Sequence, residues 1–110
     1  MPVSTVEKVT ALSEDFHSQR RLAELLGVSP AQVTRWRRGQ GIDELNAQRV
    51  DLLEHVMSSL LRLYSPDTAE LWLTGLNPFL RGRRPIDLVR SGHARELLDA
   101  IAQERAGSFA

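Results

Sequence analysis

Residues 19–38 constrain the fold of this chain more than any other segment. Apolar residues recur there at the three- and four-residue spacing of a helix face, and Gly27-Val28-Ser29-Pro30 interrupts them. Glycine can take the left-handed conformation that ends a helix, and Ser-Pro is a common pair at a helix start. The segment therefore predicts two short helices joined by a sharp turn. Small domains use this helix-turn-helix arrangement to place one helix in the major groove of DNA.

The residue types at fixed offsets in this segment agree with that prediction. Ala23 is small at the position where the two helices would cross, and Gly27, four residues later, tolerates a positive φ. Apolar side chains that would lock the two helices together are Leu22, Leu26, Val28, Val33 and Trp36. The alternative is an ordinary helical hairpin whose basic face is exposed to solvent.

An inward orientation of Val33 and Trp36 would turn the opposite side of the second helix outward. Arginine can bond guanine bidentately, glutamine can bond adenine, and threonine offers a methyl group and a hydroxyl. The residues predicted to meet bases are Gln32, Thr34, Arg35 and Arg38. We expect Gln19 and Arg20, at the start of the first helix, to face phosphate. For each arginine alone, a solvated surface charge is the alternative.

A single module of this kind makes few base contacts, and such DNA readers usually dimerise on palindromic sites. We therefore expect a homodimer bound to operator DNA with an inverted repeat.

Apolar spacing of three and four residues continues along the whole chain, and period-two β-branched runs are absent, so the fold class is predicted to be all-α. The predicted helices span about 5–15, 19–26, 30–38, 44–63, 66–74, 85–90 and 93–105, with Gly107 ending the last one. Leu45 belongs to the apolar side of the fourth helix, and Trp72, Leu73 and Leu76 are predicted to be core residues. A seam near residues 39–43 would separate a DNA-binding unit, residues 1–41, from a second helical unit, residues 42–110.

Composition excludes several function classes. The chain has no cysteine, and its three histidines, His17, His55 and His93, are far apart and lack metal-ligand spacing. We expect no catalysis, no metal and no cofactor. The 14 basic and 14 acidic residues balance, but arginines concentrate in segments 18–38 and 81–90, with an acidic stretch between them. Two basic patches suggest two different partners. No signal peptide or membrane span is evident, so we expect a cytoplasmic protein.

Residues 64–110 follow a pattern of their own. The pattern consists of Leu71-Trp72-Leu73, Leu76-Asn77-Pro78, Pro85-Ile86-Asp87-Leu88 and the terminal Gly107-Ser108-Phe109-Ala110. It resembles the toxin-binding domain of the Xre/MbcA/ParS antitoxin family, in which a Trp-Leu, an Asn-Pro, a Pro-apolar-Asp-Leu and a terminal glycine with an aromatic residue occur in this order. With the predicted helix-turn-helix ahead of it, the resemblance covers nearly the whole chain.

The resemblance implies an antitoxin of a type II toxin–antitoxin system. Such a protein neutralises a RES-domain toxin, which consumes or transfers parts of NAD, and represses its own operon. In that family the C-terminal end lies at the entrance of the toxin's active site. Carried onto this chain, the resemblance makes Gly107, Ser108, Phe109 and Ala110 the occluding segment, with Arg81, Arg83 and Arg84 as nearby toxin contacts.

Three alternatives stay open at this point. The Arg81–Arg84 cluster could be a solvated loop, or could meet a second stretch of DNA. Phe109 could fold back on its own helix instead of entering a partner's cleft. The chain as a whole could be a stand-alone dimeric helix-turn-helix repressor whose second unit only dimerises.

Overall fold

The computed structural model describes residues 4–108 and confirms an all-α fold. The helices of this range are α1 (Thr5–Asp15), α2 (Gln19–Leu26), α3 (Pro30–Arg37), α4 (Glu44–Leu60), α5 (Pro66–Thr74), α6 (Pro85–Ser91) and α7 (Ala94–Ser108). A single 3-10 turn, Pro78–Leu80, lies between α5 and α6. No helix in the described part of the chain is both long enough and apolar enough to cross a bilayer.

Side-chain N-caps explain where most of these helices begin. In each, an oxygen of the cap accepts a hydrogen bond from the backbone N–H three residues later, which satisfies a donor that the helix itself leaves free. The capping residues are Ser4, Ser18, Ser29, Asp43 and Ser65. The predicted helix starts after Ser18, Ser29 and Ser65 are therefore confirmed.

The helix ends agree with the prediction less uniformly. Gly27 ends α2 in the left-handed conformation, with a φ of 73°, as expected. Helix α4 ends at Leu60 and not near Leu63, because the backbone tightens into a turn in which the N–H of Leu63 bonds the carbonyl of Leu60, three residues earlier, at 2.9 Å. The predicted end of α7 at Gly107 is wrong, since the helix continues to Ser108. Gly107 lacks the positive φ through which a glycine stops a helix.

One cluster of buried apolar side chains extends from Val9 in α1 to Ile101 in α7. Leu22, Leu26, Val33 and Trp36 are buried in it, and Val28 packs against it partly buried. This arrangement confirms that Val33 and Trp36 face inward. The segments on either side of residues 41 and 42 share this core, and the division into residues 1–41 and 42–110 stays a prediction.

Two leucines assigned to the core are exposed. Leu76 is 77% exposed because it follows the end of α5 at Gly75, in a loop that offers no helix face to bury. Leu45 is 55% exposed in the first turn of α4, where it borders an open groove beside Val89 and Ala94. Leu73 is buried and Trp72 is partly buried, as predicted for both.

Helix α6 joins the two halves of the chain through Arg90. Its guanidinium donates hydrogen bonds to the backbone carbonyls of Leu25 and Glu24, at the end of α2. The carbonyl of Arg90 accepts a hydrogen bond of 2.9 Å from Nε of Arg49 in α4. Helix α2 is thereby held against α4 and α6 at the turn that precedes α3.

Candidate functional site

The outer face of α3 carries two free arginines. Val33 and Trp36 are buried, so the opposite side of the helix, with Arg35 and Arg38, is exposed. Within residues 4–108 neither guanidinium forms a hydrogen bond or an ion pair. Both guanidiniums are available to a ligand with negative charge or with acceptor groups such as base edges.

Gln32 and Thr34, the other two residues predicted to meet bases, have structural bonds. Gln32 completes a capping box: its Oε1 accepts 2.9 Å from the backbone N–H of Ser29, and its own N–H bonds the Ser29 hydroxyl. The Thr34 hydroxyl donates to Oε1 of Gln19 at 2.9 Å and lies 3.1 Å from the carbonyl of Pro30. A base contact from Gln32 would have to use its amide N–H groups, because the carbonyl is already engaged.

The sequence contained the signal for the capping box. Serine followed three residues later by glutamine is the pattern in which both side chains bond each other's backbone N–H. We did not predict this role for Gln32. The Thr34–Gln19 bond could not be predicted in the same way, because it joins two helices across the turn.

The start of α2 borders a hollow of about 310 Å³. Gln19 lines this hollow, and Arg20 is exposed beside it without a partner in the described part of the chain. The remaining lining residues are Ser13, Glu14, His17, Ser18 and Arg37. The free backbone N–H groups of a helix start attract anions, while the Glu14 carboxylate opposes them. The structure thus brings Gln19 close to the α3 face but does not create a uniformly basic pocket.

The three arginines at 81, 83 and 84 lie in one small closed loop. Asn77, which is buried, closes this loop: its N–H donates to the carbonyl of Arg83 at 3.1 Å, and its carbonyl accepts from the N–H of Gly82 at 2.9 Å. Its side-chain oxygen also caps the 3-10 turn by accepting from the N–H of Phe79. The presence of Asn77-Pro78 in the sequence is therefore explained by the local structure of this loop.

Only one of these arginines has a free guanidinium. Arg83 pairs with Glu96 of α7, and Arg84 forms a bidentate pair with Asp87 at 2.9 and 3.0 Å. These bonds lower the pKa of Glu96 and of Asp87. Arg81 stands exposed in the left-handed conformation, with a φ of 59°. Its guanidinium forms no hydrogen bond or ion pair among residues 4–108, although its charge contributes to the lowered pKa of Glu96. As toxin contacts, Arg83 and Arg84 would have to exchange or share their present partners, whereas Arg81 would not.

Three exposed apolar residues precede Arg81 in the chain. Leu71, Leu76 and Phe79 are 71%, 77% and 56% exposed. Large aromatic and aliphatic side chains next to an arginine are typical of protein–protein contacts. Sequence reasoning missed this feature, because it placed Leu76 in the core.

The C-terminal end of α7 projects from the core. The helix is anchored by the buried side chains of Leu97, Ala100 and Ile101, and by a hydrogen bond between Tyr64 and Glu104. Residues 105–107 are exposed, Gly107 among them, and Ser108 is the last residue of the helix. The predicted occluding residues Phe109 and Ala110 lie outside the described residues.

Comparison with known proteins gives two consistent likenesses. The chain is 35% identical over 89 residues to the mycobacterial cidal antitoxin MbcA of Mycobacterium tuberculosis and of Mycobacterium bovis, a match that covers 80% of this chain and 79% of the relative. It also superposes on a chain of the crystal structure of the M. tuberculosis MbcT-MbcA toxin–antitoxin complex. That superposition has a TM-score of 0.78, at 29% identity, over 99% of this chain and 100% of the other. No family profile matches the chain.

Proposed function

The chain belongs to the MbcA antitoxin family, and on that premise we propose that it neutralises a cognate RES-domain toxin and represses the operon that encodes both. The observation that carries the proposal is the likeness over 99% of the chain to a chain from a toxin–antitoxin complex. The alternative of a stand-alone repressor leaves unexplained why this likeness includes residues 42–110. Both activities belong in the cytoplasm, where the operon DNA and an NAD-consuming toxin would be found.

We place the inhibitory element at the C-terminal end, with Gly107, Ser108, Phe109 and Ala110 occluding the toxin's active site. The projection of α7 supports this, because the exposed turn at 105–107 can approach a partner without disturbing the core. Phe109 directly follows Ser108, the last residue of α7. The last turn of α7 must therefore approach the mouth of the cleft for Phe109 to enter it. Arg81 supplies a free cation on the same half of the chain.

Growth rescue tests the inhibitory role. The chain and the RES-domain protein encoded beside it are co-expressed, and the growth and NAD content of the cells are measured. The full chain should restore both, and a chain lacking residues 107–110 should restore neither while still folding. The control is Ala102→Ser, which changes an exposed residue of α7 before its last turn and should rescue fully. Full rescue by the shortened chain would refute occlusion by this end.

We place the DNA-binding surface on the outer face of α3, with Arg35 and Arg38 toward bases and Gln19 and Arg20 toward phosphate. The free guanidiniums and the exposure of this face support it. Thr34 and Gln32 stay in the proposed surface, although their present bonds favour a supporting role.

An electrophoretic shift on the chain's own upstream DNA, repeated across a salt series, tests this surface. Arg35→Ala should cost about 1–3 kcal/mol at the preferred site and relax base preference. Arg20→Ala should weaken all sequences alike and reduce the salt dependence. Arg95→Ala, on exposed α7, serves as the control and should change neither property. Binding of the unaltered chain without sequence preference would count against operator recognition.

A further inference from the structure

An exposed apolar patch covers the end of α5 and the loop that follows. We call Leu71, Leu76 and Phe79 the α5 patch. All three side chains are more than half exposed within nine residues of chain, an apolar area on the order of 300 Å². The largest apolar patch on a small protein is commonly of about this size and is often functional.

The charges at the two ends of the α5 patch have opposite signs. Asp67 precedes Leu71 by one helical turn, so it lies on the same side of α5, and its side chain is 84% exposed. Arg81 follows Phe79 by two residues, is exposed, and has a guanidinium that forms no hydrogen bond or ion pair among residues 4–108. The patch therefore has a carboxylate at one end and a guanidinium at the other.

This charge order fits a second copy of the chain. In a two-fold symmetric contact the same patch meets itself. With the axis perpendicular to the line that joins the two ends of the patch, each end lies against the opposite end of the partner. Asp67 of each copy would then face Arg81 of the other, with the leucines and phenylalanines of both copies between them. We propose that the α5 patch is the homodimer interface of this protein, closed by two such ion pairs.

The attachment of α5 to the first helices gives this dimer a consequence for DNA. Glu70 of α5 contacts Arg21 of α2 at 3.4 Å, and this contact is kept in the proposed dimer. The contact of 2.9 Å between Asp67 and His17 would be given up. A dimer joined through α5 would hold the two α3 helices at a set separation, as reading of an inverted repeat requires. This consequence rests on the proposed function; the dimer itself does not. The His17–Asp67 pair is exposed on both sides, so its loss to a partner's arginine costs little.

Sedimentation equilibrium of the full chain alone, from micromolar to submillimolar concentration, tests the interface. The unaltered chain should be a dimer, and Leu76→Asp should weaken self-association at least roughly tenfold, since it puts a charge into the apolar centre. Leu45→Asp is the matched control, an exposed leucine outside the patch, and should leave the dimer unchanged. Circular dichroism verifies that each variant is folded.

Charge exchange supplies a second measurement. Arg81→Asp should weaken the dimer by bringing carboxylates together, and Asp67→Arg combined with Arg81→Asp should restore it. The proposal is overturned if the unaltered chain is monomeric throughout, or if Leu76→Asp dimerises as tightly as the unaltered chain. It is also overturned if Leu76→Asp stays dimeric but no longer copurifies with the toxin, which would make the patch a toxin contact. The sedimentation assay contains neither toxin nor DNA, so failure of the proposed function leaves its outcome unaffected.

Discussion

Arg90 of α6 donates a hydrogen bond of 2.7 Å from its Nε to the backbone carbonyl of Leu25, 65 residues earlier in the chain. The last carbonyls of a helix lack partners within that helix and carry the negative end of its dipole. The Arg90 guanidinium donates hydrogen bonds to these carbonyls, and its positive charge offsets the negative end of the α2 dipole. Arg90 therefore connects the C-terminal half of the chain to the turn that orients α3.

Arg90→Met should destabilise the protein, because it keeps the apolar stem and removes the donors to Leu25 and Glu24. Hydrogen bonds from charged groups contribute about 1.5–3 kcal/mol, and we expect a loss in that range in urea unfolding. Arg95→Met, an exposed arginine of α7 with no bond in the described part of the chain, should change stability by less than about 0.5 kcal/mol. Equal effects of the two variants would show that the Arg90 bonds contribute nothing.

Gly27→Ala should cost about 1–2 kcal/mol, because an L side chain is strained at a φ of 73°. Space is not the cause, since an added Cβ would lie 3.6 Å from the Arg90 guanidinium, which is ordinary contact. Gly41→Ala is the control: Gly41 lacks a left-handed φ, and nothing lies within 4 Å of an added Cβ. Thermal unfolding should show a lower midpoint for the first variant alone.

The substitution Arg81→Gly should affect stability and self-association differently, because it relieves a left-handed φ and also removes a cation of the proposed dimer contact. Relief of the left-handed φ should leave stability unchanged or raise it by at most about 1 kcal/mol. Self-association should weaken at the same time, because the cation proposed to face Asp67 is gone. Arg83→Gly should instead lower stability, since it loses the bond of 2.8 Å to the carbonyl of Leu80 and the pair with Glu96. A loss of stability in Arg81→Gly as large as that in Arg83→Gly would contradict this distinction.

Acid should weaken the fold through Asp87. The Arg84 guanidinium, hydrogen-bonded to this carboxylate, holds the pKa of Asp87 below its ordinary value of 3.8. The stabilisation is therefore complete above the unfolded pKa and is lost as the pH falls from there through the folded pKa. Asp87→Asn should reduce the slope of unfolding free energy against pH below about pH 4 and change it little near neutrality. An unchanged acid slope would mean that the pair contributes no stability.

Asp15 should act with the opposite sign. Burial raises the pKa of this carboxyl, and the neighbouring Glu14 and Glu54 raise it further. The stabilisation that the protonated Asp15 carboxyl gives the fold is present below the unfolded pKa. It is lost as the pH rises through the folded pKa. Asp15→Asn should accordingly raise stability at neutral pH, because it removes a charge that the fold disfavours. A urea midpoint lower than that of the unaltered chain at pH 7 would refute this.

Much of the local structure was predictable from residues 18–38. Helix α2 begins after Ser18 and ends at Gly27, and α3 begins after Ser29. These limits were predictable because caps and left-handed turns depend on neighbours within a few positions. Val33 and Trp36 are buried as their spacing predicted. The role of Gln32 could not be predicted in this way, because the sequence is compatible with both a base contact and a capping box at this position.

Sequence alone determined the helical class, most helix starts, the left-handed turn at Gly27 and the inward face of α3, because each depends on periodicity or capping over short distances. Tertiary structure decided which guanidiniums are bonded. Arg90 bonds α2 and Arg83 bonds α7, while the guanidinium of Arg81, alone in its loop, forms no hydrogen bond or ion pair within residues 4–108. It also turned Leu76 outward and carried α7 past Gly107. The physical reason is that a side chain's partner and exposure depend on which distant elements pack beside it, and that packing is settled only when the whole core forms.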